Sequence, residues 1–118
     1  MRIGLAILAA APLVVAALPA QAQDRAVAST EISAGAYDQA EAKLQSQLRA
    51  HPDLPELLLN MAAVYAQTGR IAEARTLYAR VLDQKEVLMD LSADRTLGSH
   101  AVARTGLRRI EAVQFSAR

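Results

Sequence analysis

The stretch that decides the fold is ELLLNMAAVYAQTGRIAEARTLYARVL, running from Glu56 to Leu82. Its first half is apolar at Leu58, Met61, Ala62 and Tyr65, the spacing of one helix face. Its second half repeats that period at Ile71, Ala74, Tyr78, Val81 and Leu82. Between them lies Thr68-Gly69-Arg70, and a glycine there lets the chain enter the left-handed conformation that ends a helix. Two antiparallel helices joined at Gly69 are therefore predicted.

A second copy precedes the first at an offset of 34 residues. Gly35 answers Gly69, Tyr37 answers Ile71, Ala40 answers Ala74, Leu44 answers Tyr78 and Leu48 answers Leu82. Pro52 falls between the two units, where it ends the earlier helix by pushing His51 out of the α region. The small Ala40 and Ala74 have a mechanical purpose. Two helices approach closely only where one offers little side chain at the crossing.

A helix–turn–helix unit of this length, with these residues, resembles the tetratricopeptide repeat. Leu58 stands at that family's large apolar position, Met61-Ala62 at its Leu-Gly, and Tyr65, Gly69, Ala74 and Tyr78 at their counterparts. The resemblance covers roughly Arg25 to Asp83, with Gly35, Ala40, Leu44 and Pro52 marking the first unit. It implies an all-α fold of about one and a half to two helical hairpins that works by protein–protein contact. It also places Asn60 on the face that lines the concave groove in ligand-binding members. The neighbours on that face are Glu56, Leu59, Ala63 and Gln67, with no basic residue beside Asn60. The carboxylate-clamp chemistry of some members is therefore not carried over. An apolar or helical segment, of a partner or of this chain, is the expected occupant.

Segment 1–22 is read as an export signal. Arg2 is a lone basic start, Ile3 to Leu18 is an apolar run interrupted by Pro12, and Ala20-Gln21-Ala22 has the small-x-small pattern of a cleavage site. Cleavage after Ala22 and a periplasmic destination are expected. The competing reading keeps the segment as a membrane anchor, with a basic last helix also held at the envelope surface. The apolar run is shorter than the ~20 residues of a spanning helix. Without Arg2 the basic and acidic side chains balance at 12 each, which argues against a general electrostatic role on nucleic acid or anionic membrane. No cysteine is present, so stability has to come from apolar packing.

Local punctuation refines the frame. In Asp53-Leu54-Pro55-Glu56, Asp53 is expected to cap the second helical hairpin, with Pro55 in the first turn and Glu56 completing a capping box. The helix that follows is apolar on nearly every side, so its second face should be covered by the C-terminal segment or by another protein. The helical repeats are set at 23–86. A hairpin or extended segment and a capping helix follow over 87–113, and 114–118 is taken as a frayed tail. Within the third part, Val87–Leu91 fits a strand turning at Ser92-Ala93-Asp94, and also a helical continuation; the extended form is preferred. Ser99 is the expected cap of a last helix with Val102, Ala103, Gly106, Leu107, Ile110 and Val113 on one side. Arg104, Arg108 and Arg109 lie mostly on the other.

Chemistry is not expected. Ser99-His100 has no third group to orient a triad, and His51 and His100 are the only imidazoles, far apart in sequence. No cofactor, metal or catalytic residue is assigned. The expected partner is a protein or peptide, a second copy included; nucleic acid is not, and a membrane only if segment 1–22 is retained.

Overall fold

Gly35 and Gly69 both adopt positive φ, +78° and +80°, a backbone that only a residue without Cβ enters freely. The hydrogen bonds around them repeat at the same 34-residue offset. Gly35 N–H donates to Ile32 C=O (3.1 Å) and Ala36 N–H to Glu31 C=O (2.8 Å). Gly69 N–H donates to Ala66 C=O (3.4 Å) and Arg70 N–H to Tyr65 C=O (2.8 Å). These bonds satisfy the last carbonyls of a helix that has ended, and the next helix starts one residue further on. The repeat is thus a repeat of backbone geometry as well as of side chains.

The computed structural model describes residues 31–92 and 94–116. Segment 1–22 and most of the expected opening helix, Arg25 to Ser33, lie outside them. Residues 31–33 are helical and lead through Gly35 into α1 (Tyr37–Ala50). Helices α2 (Pro55–Gln67) and α3 (Ile71–Asp83) form the second hairpin. A two-stranded antiparallel sheet, β1 (Leu88–Ser92) and β2 (Arg95–Gly98), precedes α4 (Ser99–Ser116). In chain order α1 packs on α2, α2 on α3 and α3 on α4, and α4 also reaches α2. This is the expected helical fold with a C-terminal capping helix and the short hairpin before it.

Helix α2 is the centre of the molecule, because three of its sides are covered. Leu57, Met61 and Val64 pack with Ala40 and Leu44 of α1. Leu58 and Ala62 pack with Ala74, Tyr78 and Val81 of α3, and Leu59 joins Ala103 and Ile110 of α4 in the same cluster. Ala40 and Ala74 are both 0% exposed, as close helix crossings require.

The hairpin settles the ambiguity of Val87–Leu91. Leu88 is 80% exposed while its neighbour Met89 is 8% exposed, side chains on opposite faces as in a strand. Leu88 pairs with Gly98, Met89 with Leu97 and Asp90 with Thr96; the register then slips by one, so that Ser92 pairs with Arg95. Only Met89 of this run joins the core, which a helical continuation of α3 would not have selected.

Three local expectations are corrected. Asp53 does not cap α2: the N-cap is Leu54, with no side-chain cap bond, and Pro55 follows it. Asp53 instead accepts from Arg80 Nη2 at Oδ1 (2.5 Å), and its carbonyl accepts from Gln84 Nε2 (2.9 Å), tying the start of α2 to the end of α3. Ser99 is fully buried, and its hydroxyl oxygen accepts the Val87 N–H (3.0 Å) while its own N–H donates to Val87 C=O (2.8 Å). It therefore clamps the base of the hairpin. His100 beside it is half-buried. Its Nε2–H donates to Gln84 C=O (2.7 Å), since a carbonyl only accepts. At the C-terminal end α4 continues through Ser116, with Gln114 accepting from Arg75 Nη2 (2.8 Å).

Candidate interaction surface

Placing α2 at 100° per residue leaves one strip that neither α1, α3 nor α4 covers. Glu56, Asn60, Ala63 and Gln67 lie along it; the first three are half-buried and Gln67 is exposed. Leu59, expected on the same face, stands at the edge of that strip and is only 4% exposed under α4. The packing of α4 onto α2 thus divides the expected face: Leu59 becomes core, Glu56, Asn60 and Ala63 stay half-buried, and Gln67 is exposed.

Beside the strip, between the C-terminal halves of α2 and α4, is a hollow of about 270 Å³. Ala63, Ala66 and Gly106 make it by being small, and Tyr78 and Ile110 form its apolar depth. Gln67, Arg109 and the exposed Val113 stand around its mouth. Gly106 has a specific reason. A Cβ there would lie 2.3 Å from Tyr78 Cζ and 2.7 Å from its hydroxyl oxygen, so α4 seats on the Tyr78 ring through bare backbone. Burial pushes the Tyr78 phenol above its usual pKa, and the Arg109 guanidinium nearby opposes that rise in part. Arg109 thus borders the hollow close to the only polar atom of the Tyr78 side chain. Helical periodicity alone puts Gly106 and Val113 on the apolar side of α4 and Arg109 mostly on the other. That the three share one hollow depends on how α4 lies across α2.

The opposite face carries a second depression. Helices α1 and α3 both lie on α2 but barely meet each other, and a valley of about 410 Å³ remains between them. Leu58, Met61 and Tyr65 run beneath it; Leu48 and Arg49 form one bank, Leu77 and Arg80 the other. One end is closed by a latch between the two repeats. Arg70 donates from Nη1 (2.8 Å) and Nη2 (2.5 Å) to the two carboxylate oxygens of Glu41, and its guanidinium carbon sits 4.3 Å from the centroid of the Tyr65 ring. The hydrogen bonds from Arg70 hold the Glu41 carboxyl below the usual carboxylate range.

Among the described residues no group of His, Asp and Glu is placed to hold a metal, and no helix is long and apolar enough to cross a membrane. His51 is exposed, and His100 is engaged with Gln84 as described. What the two depressions offer is shape, apolar area and arginine, which is the equipment of a binding surface.

Comparison with known proteins agrees with this geometry. No curated protein and no solved structure matches the chain. The family model described as tetratricopeptide repeat matches residues 31–87, from the helical turn before Gly35 to the residue before β1. Repeats of this family generally mediate protein–protein interaction and are typically non-catalytic. With its two glycine turns, its paired alanine crossings and that match, the chain belongs over residues 31–87 to the tetratricopeptide repeat family.

Proposed function

We propose that this chain is an exported, non-catalytic adaptor of the bacterial envelope that holds a protein partner against the open strip of α2. The observation that carries the reading is the strip itself. A helix covered on three sides leaves Asn60 and Ala63 half-buried and Gln67 exposed along its fourth, next to an apolar hollow with Arg109 at its mouth. An apolar side chain of the partner fills the hollow, and polar contacts to Asn60 and Gln67 fix its register. Export is supported by Arg2, the Ile3–Leu18 run and Ala20-Gln21-Ala22.

Site-specific photocrosslinking in the producing cell tests the surface. Adducts to one defined protein from Asn60 and Gln67, absent from Ala42 on the exposed side of α1, are expected. Adducts of equal strength at all three positions would overturn the assignment, as would none at any. Mass spectrometry of the same protein tests export. An N-terminus at Gln23 is the expected result; a retained segment 1–22 would replace the free adaptor by the membrane-held form.

A further inference from the structure

We propose that the hollow between α2 and α4 receives the tip of α4 from a second copy of this chain, Phe115 of one copy entering the hollow and its Glu111 meeting Arg109 of the other. This rests on the adaptor reading in one respect, the accessibility of the hollow beside the strip, and names an occupant for it.

The tip of α4 stands clear of the body. Ile110 is the last buried residue of the helix, and every residue from Glu111 to Ser116 is exposed. These turns project over roughly 9 Å at about 1.5 Å per residue. They carry Val113, 62% exposed, and Phe115, 76% exposed and the single phenylalanine of the sequence. Two large apolar side chains on a projecting helix end gain from burial that the fold of one copy does not supply.

Helical geometry sorts the tip into two flanks. Measured from Ile110, which faces the core, Gly106, Val113 and Arg109 fall at roughly −40°, −60° and −100°, whereas Glu111 and Phe115 fall at roughly +100° and +140°. The first flank borders the hollow, and the second faces away from it. One helix therefore carries a receptor on one side and a knob on the other, and a single copy cannot bring them together. A second copy can, in a heterologous contact that leaves its own hollow open to a third.

Size and charge both match. The hollow measures about 270 Å³, and its walls Ala63, Ala66 and Gly106 are half-buried. An apolar cavity of about 150 Å³ already holds a benzene molecule, so a phenyl ring fits between these small residues and covers Val113 at the mouth. No acidic residue lines the hollow, and Arg109 is exposed with no ion pair among the described residues. On the knob, Glu111 lies one turn behind Phe115, roughly 6 Å along the axis, and is likewise exposed without an ion pair among the described residues. It is the only charged residue from Glu111 to Ser116. Arg108 shares that flank but lies roughly 10 Å behind Phe115 along the axis, beyond the screening length of about 8 Å at physiological salt. Its Nη2 also turns back to donate to Thr105 Oγ1 (3.1 Å). Glu111 is thus the charge that accompanies Phe115, and Arg109 is its complement.

Light-scattering mass over a concentration series, on the protein purified from the producing cell, reads the contact. The mass of the unaltered protein is expected to climb with concentration. Phe115→Ala removes the knob and Arg109→Glu spoils the receptor, and each is expected to weaken association by roughly tenfold or more. Both side chains are exposed, and circular dichroism of each variant checks that the fold persists. Mixing the two variants is the sharper test. The intact knob of Arg109→Glu fits the intact hollow of Phe115→Ala, so the mixture is expected to form a 1:1 dimer that grows no further. Adding Glu111→Arg to Arg109→Glu is expected to restore growth with concentration. A monomer at every concentration, unchanged association in either single variant, or a mixture that stays monomeric would overturn the proposal. Amide shifts on concentration centred away from Ala63, Gln67 and Gly106 would overturn it too. Crosslinks from Asn60 and Gln67 to a different protein, with the unaltered chain monomeric, would give the hollow to that partner and leave the adaptor reading standing.

Discussion

Replacing Gly106 by alanine should destabilise the protein even though alanine is the better helix former. The added Cβ meets the Tyr78 ring at 2.3 Å, and ordinary contact begins at 3.4 Å, so the ring or the helix must retreat by about 1 Å. Tyr78 is buried among Leu58, Val81 and Ala103 and has nowhere to go without disturbing them. Overpacking of this kind typically costs ~1–3 kcal/mol. Against it stands a gain of about 0.8–1 kcal/mol from removing a glycine from a helix interior. The net loss in the native background is then up to about 2 kcal/mol. In a Tyr78→Leu background the ring is absent, and the same Gly106→Ala change should stabilise by about 1 kcal/mol. The sign inverts, and the two sites couple within the usual range of roughly 0.5–3 kcal/mol for residues in contact. Urea midpoints of the four proteins measure this directly, with thermal midpoints moving by roughly 4–8 °C per kcal/mol for a domain of this size. Equal shifts of Gly106→Ala in both backgrounds would refute the seating of α4 on the Tyr78 ring.

The remaining expectations concern single positions. Gly35→Ala and Gly69→Ala should each destabilise by about 1–2 kcal/mol and by similar amounts, because both sites are left-handed and neither has an atom within 4 Å of the added carbon; unequal urea midpoints would show that the two turns are not equivalent. Ser99→Ala should cost about 1–3 kcal/mol by leaving the Val87 N–H without its acceptor. Its effect should appear as faster amide exchange across β1 and β2. At high pH the Tyr78 phenol, raised by burial, makes stability fully present below the ordinary tyrosine value of 10.0 and progressively lost as pH rises through the higher folded value. Tyr78→Phe should flatten that alkaline decline, and an unchanged slope would place its cause elsewhere.

What the sequence reveals and what it hides divide along sequence distance. The turns at Gly35 and Gly69 are legible because their requirement is local: one residue with positive φ, four residues after the carbonyl that its neighbour's N–H satisfies. The Ala40 and Ala74 crossings are legible because they recur at the same offset. Asp53 looked like a cap because nothing nearby competes for it; its actual partner, Arg80, lies 27 residues away. Ser99 presents the same problem, since the amide it accepts from belongs to Val87, across the hairpin. For the candidate surface, the strip of Glu56, Asn60, Ala63 and Gln67 follows from helical periodicity, whereas the loss of Leu59 to α4 does not. The hollow and the valley are absences between helices, and no residue type announces where a helix will fail to touch its second neighbour.

Among the described residues packing runs in chain order, α1 on α2, α2 on α3 and α3 on α4, with α4 folding back onto α2. In such a stack free energy is shared between adjacent elements, and local opening travels inward from whichever end has fewer neighbours. The hairpin, attached chiefly through β2 to α4 and through Met89 to the core, is the first element able to let go. Helix α4 follows, while α2, held from three sides, is the last to exchange its amides with solvent. The molecule comes apart from its margins, and the surface of α2 outlasts the elements that frame it.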